Sequence, residues 1–443
     1  MSSLQTLPCE ILSSILSYVI DGFEGRVEYD DGQPKSSSQV ILLMSVCHCF
    51  RDVVYNFPFW YQEDFEFRKL MNPVFLDSYA DAEEEAGFIN SMLRDIFFVG
   101  RFSRKTAWKF SSVPSVLAVA KNIPTFTTNT TRLTLSVFET ADKEWFNQIA
   151  PILQECGSLS ELRITRCEQA ILFDVLSRAC PKLEVLEFDE TPTWFATGVH
   201  EDGLRNLRQL FIKQTMNVDG DGIPFRLPLG SIGSLMDLSI TFSFALDDED
   251  DSEVTRFAQD LGQFNKLQKL TVDPCSPQVC EAIGMALFSL TTLKLAIAYG
   301  VLKVRESALV SILSAPSLRN LKELALHCNN APHRYKSYTY SRGNPVIETI
   351  TSCLTGLQDL DLVFPINVEW IEKMVRLRNL RRLAWKSYKR DLSEQTFSAT
   401  GGNGNKIIAD TIQMLMEMRF MEEEMGTHVE ISVFDDQTPC LII

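Results

Sequence analysis

Histidine is scarce: the chain of 443 residues has five, His48, His200, His327, His333 and His428. No two of them stand in a metal-ligating spacing such as H-E-x-x-H. Cys47-His48-Cys49 offers ligand types, but neighbours on one helical stretch cannot converge on one ion. No G-x-S-x-G nucleophile turn occurs. The Gly-rich run at 400–406 lacks the spacing of a phosphate loop and the Ser or Thr that would follow its Lys. The expectation is a chain without a catalytic centre, a metal or a cofactor. Long apolar runs are missing too. The longest, Val40–Phe50, falls well short of the ~20 residues that span a bilayer, so no transmembrane segment is expected. Glu10 interrupts the first apolar stretch and no basic residue precedes it, so no secretory signal is expected. The eleven cysteines are odd in number and show no paired framework. They read as free, mostly buried thiols, which suits a reducing compartment, the cytoplasm or the nucleus. Basic residues are outnumbered 42 to 58, for a net charge of −16. A protein that neutralises phosphates needs clustered Lys and Arg, so no nucleic-acid partner is expected. The conspicuous clusters are acidic, Glu83–Glu85 and Asp247–Asp251. The second reads either as a solvated loop or as a contact for a basic partner.

What the chain has is leucine at fixed intervals. One phrase recurs nine times between Leu159 and Trp385: Leu, two residues, Leu, one residue, then an apolar residue. The copies begin at Leu159, Leu183, Leu207, Leu235, Leu267, Leu290, Leu321, Leu357 and Leu380, and a weaker tenth copy lies at 131–135. Alternate apolar positions put one face of a short strand into a core and turn the residues between them outward. The second leucine of each phrase follows the previous one by 23 to 36 residues, enough for a strand, a turn, a helix and a return. Helical spacing is visible between strands, as in Phe146, Ile149, Ile152 and Leu153, or Ile171, Leu172, Val175 and Leu176. Self-similarity at such a period marks a solenoid, which presents a long surface and points to binding rather than catalysis.

These segments resemble leucine-rich repeats. Cys167, Cys275 and Asn329 stand where that family places a Cys or Asn that caps the turn leaving the strand. The resemblance implies an α/β horseshoe, with parallel strands inside and helices outside.

The first sixty residues carry a second pattern. Leu7, Ile11, Leu12, Ile15, Leu16 and Val19 recur at three and four, and Pro8 stands near the start of that amphipathic helix. Leu42, Leu43, Val46, Phe50, Val53 and Val54 continue it in a second helical stretch. Together with Pro58 and Trp60, the order Leu7-Pro8, Glu10, Ile11-Leu12, then Val46-Cys47, Phe50-Arg51 resembles an F-box over residues 4–62. The connection Ile20–Gln39 is longer than that family's usual few residues. The resemblance implies a Skp-type adaptor, held by a cullin–RING ubiquitin ligase. Docking would use Leu7, Pro8, Ile11, Leu12, Ile15, Leu16, Leu43, Val46, Phe50 and Trp60. The repeats would then recruit a protein substrate. The alternative is an adaptor-independent scaffold or inhibitor whose N-terminal helices merely cap the solenoid.

The expected domains are an F-box-like helical domain at 1–62 with the insertion at 20–39, a helical linker at 63–129, repeats at 130–400 and a helix-strand cap at 401–443. The linker is expected to hold helices near Ala80–Phe98 and Pro114–Ile123, and the cap a last strand near His428–Phe434. The outward strand residues form the expected substrate face. Its candidate contacts are Arg163, Glu187, Arg208, Phe211, Lys213, Asp361, Arg381 and Arg382. Their mixed charge suits a protein or peptide. The C-terminal Cys440-Leu441-Ile442-Ile443 has the form of a prenylation box. A lipid at Cys440 would be a weak anchor, since no polybasic segment accompanies it.

Overall fold

In a computed structural model, the described residues are 82–94, 99, 102–136, 145–165, 173–189, 203–213, 227–241, 251–275, 277–298, 306–329, 345–363, 373–388, 394–400 and 432–433. They belong to two compact units, Met1–Pro192 and Thr193–Ile443.

Unit 1 runs α1 (Ala82–Met92), β1 (Ala107–Phe110), α2 (Val113–Asn122), α3 (Phe126–Asn129), β2 (Arg132–Ser136), α4 (Trp145–Glu155), β3 (Glu161–Thr165), α5 (Phe173–Ala179) and β4 (Val185–Asp189). Its four strands pair in sequence order, all parallel. The register joins like to like: Trp108 lies opposite Leu133, Leu133 opposite Leu162, and Leu162 opposite Leu186. Between strands, Ile149 and Leu153 of α4 and Leu176 of α5 are buried, as their helical spacing implied.

Unit 2 repeats the design. Strands β5 (Gln209–Lys213), β6 (Asp237–Thr241), β7 (Lys269–Cys275), β8 (Thr292–Ala298), β9 (Glu323–Asn329), β10 (Asp359–Val363) and β11 (Arg382–Tyr388) alternate with helical connections. These include α6 (Asp251–Leu261), α7 (Pro277–Ala286), α8 (Glu306–Leu313) and α9 (Pro345–Cys353). Leu210, Leu238, Leu270, Leu293, Leu324, Leu360 and Leu383 form one row across seven parallel strands. Successive helices pack on each other, α6 on α7, α7 on α8 and α8 on α9. Each repeat therefore leans on its neighbours in sequence, and the fold is an α/β leucine-rich-repeat solenoid.

The turn that leads into each strand is equally regular. In seven of the nine phrases the first leucine donates its N–H to the carbonyl three residues back, as in Leu183 to Cys180, Leu267 to Phe264 and Leu380 to Leu377, while Leu235 donates to Ser231, four back. The residue that supplies this carbonyl is itself buried: Cys156, Cys180, Leu204, Phe264, Leu318, Leu354 and Leu377 all are. The next two N–H groups converge on one carbonyl of the repeat before. Glu184 and Val185 both donate to Ser160, and Lys322 and Glu323 both donate to Thr291. Backbone groups inside the stack are thereby satisfied without side chains.

Four features were not expected. First, β1 precedes the first leucine phrase, in the stretch read as a helical linker. Trp108 and Phe110 take the positions that leucines occupy elsewhere, and with Phe102 and Phe126 they form a buried aromatic cluster. The helix α1 is tied to this end by Glu85, a buried carboxylate that accepts from Ser111 Oγ at 2.7 Å. Second, the β7–β8 register shifts between Val272 and Cys275. Pro274 has no N–H to give the ladder there, so the strand bulges. The bulge brings buried Cys275 to 3.4 Å from the Sγ of Cys280. Third, β12 (Glu394–Thr400) runs antiparallel to β11. The five residues between them, 389–393, cannot carry a parallel crossover, and a hairpin is what remains. Fourth, Leu204 holds a positive φ of 56°, a conformation side chains disfavour. Its side chain is buried, which offsets the cost. The last strand, β13 (Ser432–Val433), falls inside the expected segment and pairs with β12.

Two substitutions test this packing. Leu324→Ala removes a fully packed row residue that is 2% exposed and should cost ~2–5 kcal/mol in denaturant unfolding. A loss well under 1 kcal/mol would contradict the row. At Gly230 a Cβ would stand 1.9 Å from the carbonyl oxygen of Gly203. Gly230→Ala should therefore cost ~1–3 kcal/mol or more by forcing two backbone segments apart.

Candidate protein-binding face

With the leucines turned inward, the residues between them form the opposite face of each sheet. Strands β3, β4 and β5 each bury their second and fourth residues and leave the others at least partly accessible, whereas β8 also buries Thr292 and Ala296 and β9 also buries Ala325.

In unit 1 this face is a ladder of alternating charge. Arg132 Nε lies 2.8 Å from Glu161, Glu161 lies 2.7 Å from Arg163, and Arg163 Nε lies 3.2 Å from Glu187. The expected contacts Arg163 and Glu187 are thus brought together, and each neutralises the other. Both arginines are about half exposed, so each pair adds at most ~1 kcal/mol.

Unit 2 is different. Phe211 is half-buried in the centre of β5 and Lys213 is exposed at its end. Arg208 and Arg381 are exposed but stand one residue ahead of their strands, in the leading turns. Asp237 lies directly opposite Lys269. Burial nevertheless raises its carboxyl above the ordinary value of 3.8, against the pull of Lys269 and Lys294. Asp359 lies directly opposite Glu323 and next to Arg382. Its carboxyl is also raised, by partial burial first and by the Glu323 charge second, while Arg382 and Arg381 oppose the shift. Asp361, the neighbouring candidate, faces His327, whose Nε2 lies 3.5 Å from its carboxylate. That contact becomes an ion pair when the imidazole is protonated. His327 was missed in the sequence because it lies just past the leucine phrase. The signal for it was the continued alternation Leu324, Leu326 with Ala325 and His327 between and beyond.

Three buried thiols among the described residues are poor nucleophiles. Burial pushes the thiols of Cys156 and Cys180 up to about 12, and Cys275, a free thiol, is raised well above the usual range by its hydrogen bond with Cys280 and by burial. Among the described residues no group of three His, Cys, Asp or Glu is placed to hold a metal, and no helix is long and apolar enough to cross a membrane. The adaptor-facing candidates Leu7, Pro8, Ile11, Leu12, Ile15, Leu16, Leu43, Val46, Phe50 and Trp60 lie outside the described residues, as do the 20–39 insertion, Cys167 and Cys440.

No protein-family model matches the sequence, and no curated protein matches it. Among solved structures the chain is similar to one from the Rad7 and Elc1 complex in yeast. The identity is 16%, with 86% of this chain and 92% of that one covered and a TM-score of 0.37. It is also similar to the leucine-rich repeat-containing protein LegL7 from Legionella pneumophila. There the identity is 13%, the coverage 65% and 87%, and the TM-score 0.35. The fold assignment stands on the register of this chain's own leucines and not on these likenesses.

The raised carboxyls give a test with a definite sign. The folded state prefers Asp237 and Asp359 protonated, so each charge costs stability at neutral pH and nothing once both states are protonated. Asp237→Asn and Asp359→Asn should each raise the melting temperature near pH 7. The gain should shrink as pH falls through the raised folded values and be gone below the ordinary value of 3.8. A lower melting temperature at neutral pH would mean that Lys269, or Arg381 and Arg382, outweigh the burial.

Proposed function

We propose that the chain is the substrate-recognition subunit of an SCF-type ubiquitin ligase. Residues 4–62 would dock a Skp-type adaptor, and the repeats would hold a protein substrate. The receptor itself makes no bond. The cullin–RING assembly carried by the adaptor would do the chemistry.

The observation that carries the first half is the ordered set Leu7-Pro8, Glu10, Ile11-Leu12, Val46-Cys47, Phe50-Arg51, Pro58 and Trp60, placed ahead of a repeat domain. The second half is supported by the polar face of unit 2. Two of its carboxylates, Asp237 and Asp359, are held in environments that disfavour their charge. Arg381, Arg382, Asp361, Phe211, Lys213 and Arg208 are the proposed contacts on this unit, and Arg163 and Glu187 those on unit 1.

The test is co-purification of the full chain with a Skp-type adaptor, beside the double variant Leu12→Asp, Trp60→Ala. A stable complex that the variant loses is the expected result. A folded chain that ignores the adaptor would make residues 1–62 a cap and the protein an adaptor-independent scaffold or inhibitor.

A further inference from the structure

The leading turns of unit 2 carry a charge pattern opposite to that of the chain as a whole. Each turn has three outward positions: the two residues before the first leucine of the phrase and the one after it. Across the seven repeats that end in β5 to β11, seven of these 21 positions are Lys or Arg and none is Asp or Glu. In a chain with 58 acidic and 42 basic residues, an even draw would make more than half of such charged positions acidic. All seven cations are exposed. Arg205 and Arg208 stand at the β5 end, and Lys266 leads into β7. At the far end, Arg319 and Lys322 lead into β9, and Arg378 and Arg381 lead into β11.

The edge is ordered as well as basic. Paired N–H groups tie each turn to the carbonyl of the turn before, at Arg208, Met236, Gln268, Thr291, Lys322 and Gln358. Side chains add rungs, Ser289 Oγ to the Asn265 carbonyl at 2.9 Å and Asn379 Nδ2 to the Thr355 carbonyl at 3.2 Å. The cations are therefore held on a stacked scaffold, with neighbouring strands ~4.8 Å apart.

Apolar side chains interrupt the basic row at its middle. Among the described residues four large hydrophobics are exposed, and two of them, Met236 at 37% and Phe288 at 60%, occupy these turns. A third, Met285 at 71%, ends α7 one helical turn before Phe288. The edge thus has paired cations towards both ends, and over its middle Met236 and Phe288 flank the single cation Lys266, so apolar area and positive charge are interleaved there.

We infer that this edge of unit 2 is a docking surface for an acidic segment of a partner protein, one that carries apolar residues between its carboxylates. The inference rests on reading the repeats as a protein-recognition module, and it adds a surface that adjoins the strand face and shares Arg208 and Arg381 with it. Charge complementarity names the occupant. Met236, Met285 and Phe288 disfavour a purely ionic ligand, and the chain's net charge of −16 repels long polyanions such as nucleic acid. A purely structural role would be to complement the negative C-terminal ends of the helices that precede these turns. That role predicts a loss of stability on charge reversal and no ligand.

The experiment uses the full chain and a fluorescein-labelled synthetic peptide in which pairs of glutamates alternate with single Leu or Phe residues. The peptide should bind, more weakly as salt is raised. The variant Lys266→Glu, Arg319→Glu, Lys322→Glu, Arg378→Glu should weaken it on the order of tenfold or more. The same number of reversals on unit 1, at Arg94, Arg104, Lys121 and Arg178, should not. A second variant, Met285→Ser with Phe288→Ser, should also weaken the peptide while leaving the melting temperature unchanged. Both edge variants should still co-purify with the adaptor if the wild-type chain does, so failure of the ligase reading and failure of this one are seen separately. Absence of peptide binding, binding untouched by either edge variant, or tighter binding of single-stranded DNA of equal charge would overturn the inference.

Discussion

Everything in this molecule hangs on one alignment: the second leucine of each phrase must lie directly opposite the second leucine of the next. A slip of one residue would turn every buried side chain outward, because strand side chains alternate with a period of two. The row from Leu210 to Leu383 in unit 2 never slips at that position. The turn ahead of each strand enforces it. A tight backbone bond fixes the first leucine, and two N–H groups grip one carbonyl of the preceding repeat. Each buried leucine then contributes ~1.5–3 kcal/mol of burial, spent against nearest neighbours only. The row keeps its register although the phrases are separated by 23 to 36 residues.

The same constraint divides the residues into those that can vary for function and those that cannot. Inward positions are held to leucine, isoleucine, valine and a few aromatics. Most outward positions on the strands and in the leading turns are at least partly exposed and less bound by packing, although Thr292, Ala296 and Ala325 are buried. On unit 1 the outward chemistry closes on itself, in the chain of ion pairs from Arg132 to Glu187. On unit 2 it does not close. Glu323 and Asp359 face each other across a strand pair, an arrangement that like charges oppose.

The sequence was most legible where one residue type does one job. Leucine repeated at fixed offsets located nine strands and their register, because hydrophobic alternation is a direct consequence of strand geometry. It was least legible where the job is shared among residue types. The buried position that starts each leading turn is Cys156, Cys180, Leu204, Phe264, Leu318, Leu354 or Leu377, and only a three-residue step back from the phrase would have exposed it. The strand β1 was hidden for the same reason, since Trp108 and Phe110 stand where leucines would. As for the site, period two was enough to say which charges point outward. It put Glu161 and Arg163 on one face but could not say that Arg163 meets Glu187, because strand partners more than twenty residues apart meet only through the fold. Arg208 and Arg381 were placed among strand residues although they belong to the turns, an error of one position in a phrase whose first leucine is not yet in the strand.

That one-residue distinction separates two surfaces with different electrostatics. Positions inside the strands carry both signs, with opposite charges paired at Asp237 and Lys269 and like charges at Glu323 and Asp359, so the face is mixed. Positions in the leading turns have no cross-strand carboxylate within their own rows, so their charges add. A field built by addition acts beyond contact distance, roughly to the Debye length of ~8 Å at physiological salt, and speeds the encounter of an oppositely charged segment. A mixed face acts only on contact and selects by pattern. A repeat domain that has both can separate capture from discrimination, with the turns gathering a partner and the strands testing its fit. Both properties follow from where the leucine phrase begins, because its first leucine buries the turn and its second buries the strand.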